Sequence, residues 1–202
     1  MAHGVRAMRL LSTRTVVAVV LAGVSSFACR ARDPKDDVPA LIQDLKGPDR
    51  EKSGRANLAL IRVGEPAVPA ILELVQGSDP RLRSVALATI WGMGERAKSA
   101  APVLGETLSD PDPEIRNAAA MALENMGPAA AAAVPALIKA LSDGDNRVRQ
   151  TAVKALGNVG PAAREAVPVI SRAVKRGPWP EAEEAIRKIQ GRPDETPSPE
   201  AR

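Results

Sequence analysis

Apolar positions in this chain recur with helical spacing, and the pattern restarts at fixed intervals. Val38-Pro39, Val68-Pro69, Ala101-Pro102 and Val134-Pro135 each open an apolar stretch. Ten residues after each Pro comes an Asp (Asp49, Asp79, Asp112, Asp145), and fifteen residues after each Asp comes a Gly (Gly64, Gly94, Gly127, Gly160). The Asp-to-Asp periods are 30, 33 and 33 residues, the short one arising from a linker three residues shorter between Gly64 and Pro69. Four matches at constant offsets define an internal repeat. Within one copy, residues 134–141 are apolar at helical spacing with Pro135 in the first turn, which predicts a helix A. Asp145 caps a predicted helix B, whose stripe Val148, Ala152, Ala155, Leu156 and Val159 falls at i, i+4, i+7, i+8 and i+11. Gly160, with Pro161 behind it, ends that helix. Neither helix can bury its face alone, so the copies must stack.

A fifth copy opens at Val167-Pro168 and loses the spacing at Gly177-Pro178-Trp179-Pro180, before a charged helix over 181–190. Such a shortened, polar copy suits a C-terminal cap, with Trp179 as a hydrophobic plug over the end of the array. The alanine run 129–133 reads as an inter-repeat turn extended into a short helix. Residues 191–202 are charged and Pro-rich without a period, and are expected to be disordered.

The consensus D-x-x-[VI]-R-x-x-A-x-x-A-L-x-x-[MV]-G, best kept over 112–127 and 145–160, resembles HEAT repeats, particularly the short type of the bilin lyase subunits. The first copy departs from it, with Lys52 and Ser53 where Val and Arg are expected, as in a terminal cap. The signature residues of ankyrin and tetratricopeptide repeats are missing. The resemblance implies an all-α fold, a right-handed α-solenoid of about five two-helix HEAT-like repeats over residues 38–190.

The amino terminus follows a different logic. Arg6, Arg9 and Arg14 precede an apolar run over 16–24, then Ser25, Ser26, Phe27, Ala28 and Cys29. This is the order of a secretory signal, and the run is shorter than the roughly 20 residues that span a bilayer. Ser26 and Ala28 occupy the −3 and −1 positions of a cleavage site, which leaves Cys29 first in the mature chain. Cys29 resembles the lipidated cysteine of bacterial lipoproteins, although that family's lipobox has Leu and a small residue where this chain has Ser26 and Phe27. A soluble exported protein and an uncleaved anchor are the other readings. The expected organisation is a signal peptide over 1–28, a charged tether over 29–37, the repeat domain and the tail.

Charge and scarce residues narrow the chemistry. The 28 Lys and Arg against 24 Asp and Glu give a formal net charge of +4, which suggests an anionic partner. Arg6, Arg9 and Arg14 all precede residue 29, and from Cys29 onward the tally is 25 against 24, or +1. Nucleic acid is therefore not expected as a partner, and three aromatics (Phe27, Trp91, Trp179) are too few for base stacking. His3 and Cys29 are the only His and Cys, so triads, Cys-His pairs and the usual zinc or haem sites are excluded from the chain beyond residue 29. No catalytic residue, metal or cofactor is expected. Glu183 and Glu184 fall on the solvated face of the last helix, outside any recognisable catalytic loop.

Two sets of candidate residues remain. Arg83, Arg116 and Arg149 recur four residues after Asp79, Asp112 and Asp145, and resemble the Asp/Arg ladder that HEAT proteins use between repeats. An anion-binding row is the alternative, and the matching carboxylates favour the structural ladder. On the helical wheel, offsets 5, 8, 9 and 12 from the cap Asp of helix B point away from the core stripe. In the last full repeat these are Gln150, Val153, Lys154 and Gly157, whereas the first three repeats contribute Leu58, Ile61, Leu87, Ala88, Trp91 and Met121. By resemblance helix B lines the concave surface, so these six form a candidate partner-binding patch with Leu87 and Trp91 as anchors. The expected function is a non-catalytic, monomeric, membrane-tethered scaffold of the bacterial envelope that binds a protein or peptide. A bilin-lyase-like chromophore-handling subunit and a structural spacer are the alternatives.

Overall fold

The computed structural model describes residues 37–174 and 179–192. The expected signal peptide, Cys29, nearly all of the tether and the tail beyond Arg192 lie outside the described residues. The described chain is an α-solenoid of five helix pairs, each a short helix A followed by a helix B. The A helices are α1 (Val38–Lys46), α3 (Val68–Val75), α5 (Ala101–Thr107), α7 (Val134–Ala140) and α9 (Val167–Val174). The B helices are α2 (Arg50–Val63), α4 (Pro80–Met93), α6 (Pro113–Met126), α8 (Asn146–Val159) and α10 (Pro180–Ile189).

Local chemistry accounts for the boundaries. Asp49 and Asp79 each accept two amide hydrogen bonds, from Glu51 and Lys52 and from Arg81 and Leu82, at 2.9 and 3.2 Å in both cases. Asp112 accepts from Glu114 at 2.9 Å and Asp145 from Arg147 at 2.8 Å. These bonds satisfy amides that a helix start leaves without partners. At the other end Gly64, Gly94, Gly127 and Gly160 take φ of +71, +58, +55 and +73°, where a Cβ would be strained. A 3₁₀ turn then leads to the next A helix: Glu65–Ala67 after the first repeat, and Gly94–Ala100, Gly127–Ala133 and Gly160–Ala166 after the others. The first of these is the short linker that the period implied, and the alanine run forms the third.

Each pair closes on large buried side chains: Leu45 with Leu60, Ile71 with Ile90, Leu104 with Leu123, Leu137 with Leu156, and Ile170 with Ile189 in successive repeats, all fully buried. Successive B helices pack more closely on one another than successive A helices do, which puts the B layer on the inner side of the stack. Small residues permit this approach; a Cβ on Gly157 would come within 2.9 Å of Ala185 Cα on the last helix. Residues Pro113–Ala140 are apolar and long enough to pass as a membrane span by composition, yet the stretch is broken at Gly127 into α6, a 3₁₀ turn and α7. Its apolar side chains fill the core of the third and fourth repeats.

The ladder exists with different acceptors from those the spacing suggested. Asp79, Asp112 and Asp145 are occupied as caps. Arg83 instead pairs with Asp110, and Arg116 with Asp143, each carboxylate lying 27 residues further on, in the loop of the next repeat. Asp110 and Asp143 also accept the amides of Asp112 and Asp145, at 2.9 and 2.8 Å, so one carboxylate shapes its own loop and receives the preceding repeat. The junction of the first and second repeats has neither half of this device: Ser53 replaces the Arg and bonds Leu45 O at 3.2 Å, and Gly77 stands in the second repeat's loop where the acceptor Asp would be. A second inter-repeat contact recurs at the C-terminal ends of the B helices. Asn125 Nδ2 donates to Trp91 O at 2.6 Å and Asn158 Nδ2 to Glu124 O at 3.2 Å.

Candidate functional site

An inner helix of a stack is buried on three sides: against its own helix A and against the B helices before and after it. The wheel could see only the first, and this corrects part of the patch. Leu87 is fully buried, as is Ala120 one repeat on, and Val153 and Gly157 are buried in the fourth repeat. Ile61 is half-buried, its Cδ1 filling the space beside Gly92, where a Cβ would come within 2.6 Å. On the same flank the Thr89 hydroxyl lies 2.8 Å from both Asn57 Oδ1 and Val85 O, and on the opposite flank Asn125 of α6 donates to Trp91 O. A helix held on both flanks exposes only a narrow strip.

Along that strip Leu58, Trp91 and Met121 are 58, 48 and 43% exposed, the large exposed hydrophobic residues of the described chain, and Ala88 is exposed beside them. Trp91, Ala88 and Met121 converge on a groove of about 280 Å³ between α4 and α6, floored by Leu87 and completed by Ser84 and Ala118. Asn117 Nδ2 approaches Met121 Sδ at 3.7 Å while its Oδ1 accepts from Thr151 at 3.1 Å, which ties the groove wall to the next repeat. Leu58 stands at the same helical offset on α2, outside the groove. Ser84 and Ala118 escaped the sequence reading because their contribution depends on how α4 and α6 face each other; Ser84 does lie at offset 5, one of the positions the wheel turned outward.

Further along the inner face the chemistry changes to paired charges. Lys154 meets Glu181 at 3.4 Å, and Lys188 meets Glu184 at 2.7 Å and Asn158 Oδ1 at 3.3 Å. Burial raises the Glu124 carboxyl above its ordinary value, against the pull of Lys154 and Lys188. Among the described residues no three Asp, Glu, His or Cys side chains converge as metal ligands. Trp179 is half-buried against the end of the core, as the plug reading expected; Glu183 and Glu184 are exposed.

A two-layer solenoid with an apolar groove on its inner helices is the class of molecule this geometry defines. The HEAT repeats family matches residues 83–134 and 101–190, more than half of the chain, and the chain belongs to that family. No curated protein matches the sequence. Among solved structures, the chain is similar to one from the complex of CpcE and CpcF of phycocyanin lyase from Nostoc sp. PCC7120, at 20% identity over 76% of this chain and 98% of that one, with a TM-score of 0.60. It is also similar to a designed armadillo repeat protein in complex with the peptide (KR)4, at 15% identity over 90% of this chain and 86% of that one, with a TM-score of 0.56. An engineered protein matches at 23% identity, 88% and 84% coverage and a TM-score of 0.57. At such identities these likenesses establish the fold.

Proposed function

We propose that the chain is a non-catalytic scaffold that binds a protein or peptide along its inner B helices, with Trp91 and Met121 as anchors. The observation that carries this reading is the exposed Trp91–Met121 groove, with Leu58 on the neighbouring helix. Exposed aromatic and Met side chains around an apolar hollow are what a partner's side chain can fill with gain, since each buried aromatic removes a large area from water. Rigid neighbours on both flanks reduce the ordering cost of binding. The basic, apolar and small-residue order before Cys29 supports export, with lipidation of Cys29 tethering the domain to a membrane of the bacterial envelope and the chain acting as a monomer. The test is panning of displayed random peptides on the chain beginning at Arg30, beside a Trp91→Lys/Met121→Lys variant. Peptides retained by the first and lost by the second support the groove; equal retention removes it.

A chromophore-handling role is the second reading, prompted by the likeness to a phycocyanin lyase structure. Co-expression with a bilin and search for a bound absorbing pigment tests it, and a colourless purified chain ends it.

A further inference from the structure

The ladder groove repeats once more beyond its last carboxylate. Between the third and fourth repeats a hollow of about 380 Å³ is lined by Leu108, Ser109, Arg116, Ala136 and Lys139 and is closed by Asp143. One repeat on, the equivalent hollow is lined by Leu141, Ser142, Arg149, Val169, Arg172 and Trp179, and measures about 600 Å³. The position that would supply its carboxylate, 33 residues after Asp143, is Arg176 in the sequence and lies outside the described residues.

Arg149 is held as Arg116 is. Arg116 Nη1 donates to Asp110 O and Pro111 O at 2.9 and 3.2 Å; Arg149 Nη1 donates to Asp143 O and Gly144 O at 2.7 and 3.0 Å. In Arg116 the Nε–Nη2 edge grips Asp143. In Arg149 that edge meets only Asn146 Oδ1, at 2.9 Å from Nη2, and neither Arg149 nor Arg172 forms an ion pair among the described residues. Arg172, whose Nε donates to Pro168 O at 3.2 Å, places a second guanidinium on the rim where the earlier groove has Lys139. The hollow thus keeps the donor fork of a carboxylate slot, adds a cation, and gains an apolar wall from Trp179, Val169 and Leu141.

We propose that this groove at the C-terminal end of the array binds a carboxylate side chain of a peptide segment, with a neighbouring apolar residue of that segment packed on Trp179. The fork geometry favours a planar two-oxygen acceptor, which it already holds one repeat earlier. The site is separate from the Trp91–Met121 groove and stands without it. The chain's own residues 193–202 include Asp194, Glu195 and Glu200 but no large apolar residue to pack on Trp179, so the occupant is a partner's acidic peptide, and the chain's own tail is the competing outcome of the test.

The test uses the chain from Arg30 to Arg202 and a second form ending at Arg192, probed with a hexapeptide pool randomised around a fixed Glu and the same pool built on Gln. The expected result is retention of the Glu pool over the Gln pool, reduced about tenfold by Arg172→Gln and by Arg149→Gln, the scale of one lost charged hydrogen bond. Arg172 is exposed, so its variant keeps the test valid if Arg149→Gln disturbs folding. Retention by the shorter form alone assigns the groove to the chain's own tail, and retention by both assigns it to a partner. The proposal is overturned if neither form prefers the Glu pool, or if both Arg variants retain it fully. It is overturned as well if Trp91→Lys/Met121→Lys, rather than the Arg changes, abolishes retention; that outcome would leave the scaffold reading intact.

Discussion

Arg116 grips both carboxylate oxygens of Asp143, through Nε at 2.7 Å and Nη2 at 2.8 Å, across the boundary between the third and fourth repeats. The same arginine holds the loop carbonyls of its own repeat, and the same aspartate caps the loop of the next. Stacking order and loop shape are therefore joined in one half-buried contact, and Arg83 with Asp110 repeats it one step earlier. The first junction lacks both partners, at Ser53 and Gly77, and is held instead by apolar packing with the Thr89–Asn57 and Arg81–Lys46 O hydrogen bonds.

Breaking this contact from one side should cost more than a surface ion pair. Arg116→Ala leaves Asp143 poorly solvated and two loop carbonyls without their donor, and should lower stability by about 1–3 kcal/mol. Arg116→Lys should recover only part of that, since an ammonium cannot make the forked contact. Chemical denaturation at neutral pH reads both values, and a loss below about 0.5 kcal/mol for Arg116→Ala would mean that the ladder is ornamental.

The missing first step of the ladder can be built. Ser53→Arg alone and Gly77→Asp alone should each change stability little, because each supplies a charge without its partner. Together they should couple favourably by about 0.5–1.5 kcal/mol, the net worth of a charged hydrogen bond at a half-exposed site. A double-mutant cycle by urea denaturation measures the coupling term, and additivity would show that the first interface has a different geometry.

How much of this was legible beforehand follows from how local each cause is. The caps at Asp49, Asp79, Asp112 and Asp145 and the glycines fifteen residues later act on their own helix, so period, boundaries and fold class could be read directly. The ladder acceptors could not. Asp110 and Asp143 sit two residues before the caps and matter only because the next repeat brings them to Arg83 and Arg116. Leu87 was misplaced for a related reason: a wheel describes one helix, whereas its burial comes from neighbours on both flanks. Trp91 and Met121 survived because they lie on the strip that no neighbour covers.

Close approach at Gly157 gives a sharper test of stacking. Its missing Cβ would meet backbone, Ala185 Cα at 2.9 Å, so Gly157→Ala must push the last helix away. At Gly92 the obstacle is the end of a flexible side chain, Ile61 Cδ1 at 2.6 Å. Alanine gains up to about 1 kcal/mol of helix propensity at either site. Gly92→Ala should therefore be neutral or stabilising, while Gly157→Ala should lose about 1–3 kcal/mol, with faster amide exchange confined to α9 and α10.

Acid should loosen the array through the same aspartates. The Arg116 hydrogen bond holds Asp143 below its ordinary value of 3.8, against its burial. Burial pulls Asp110 upward, but Arg83 and the Asp112 amide together bring it below 3.8. The Arg147 side chain and amide draw Asp145 down to about 2. Below 3.8 the unfolded chain takes up these protons first, so the stabilisation is whole above that value and is lost as pH falls towards 2. Glu124 acts in the opposite sense: its raised carboxyl favours the folded state less as pH climbs through and beyond 4.5. Denaturation midpoints measured from pH 6 downward should fall steeply once below about pH 4, and Asp143→Asn should flatten that fall.

The groove itself separates binding from folding. Trp91 and Met121 are about half exposed, and their lysine variants can extend the ammonium into water, so Trp91→Lys/Met121→Lys should cost at most about 1 kcal/mol. Leu87 lies fully buried beneath them, and Leu87→Lys must place an unpaired ammonium in the core or expel the helix face that carries it. That variant should fail to fold cooperatively by circular dichroism, whereas the surface pair should melt close to the parent chain. A melting curve for Trp91→Lys/Met121→Lys as disrupted as that of Leu87→Lys would show that the groove residues hold the stack together, and would remove them as free anchors for a partner.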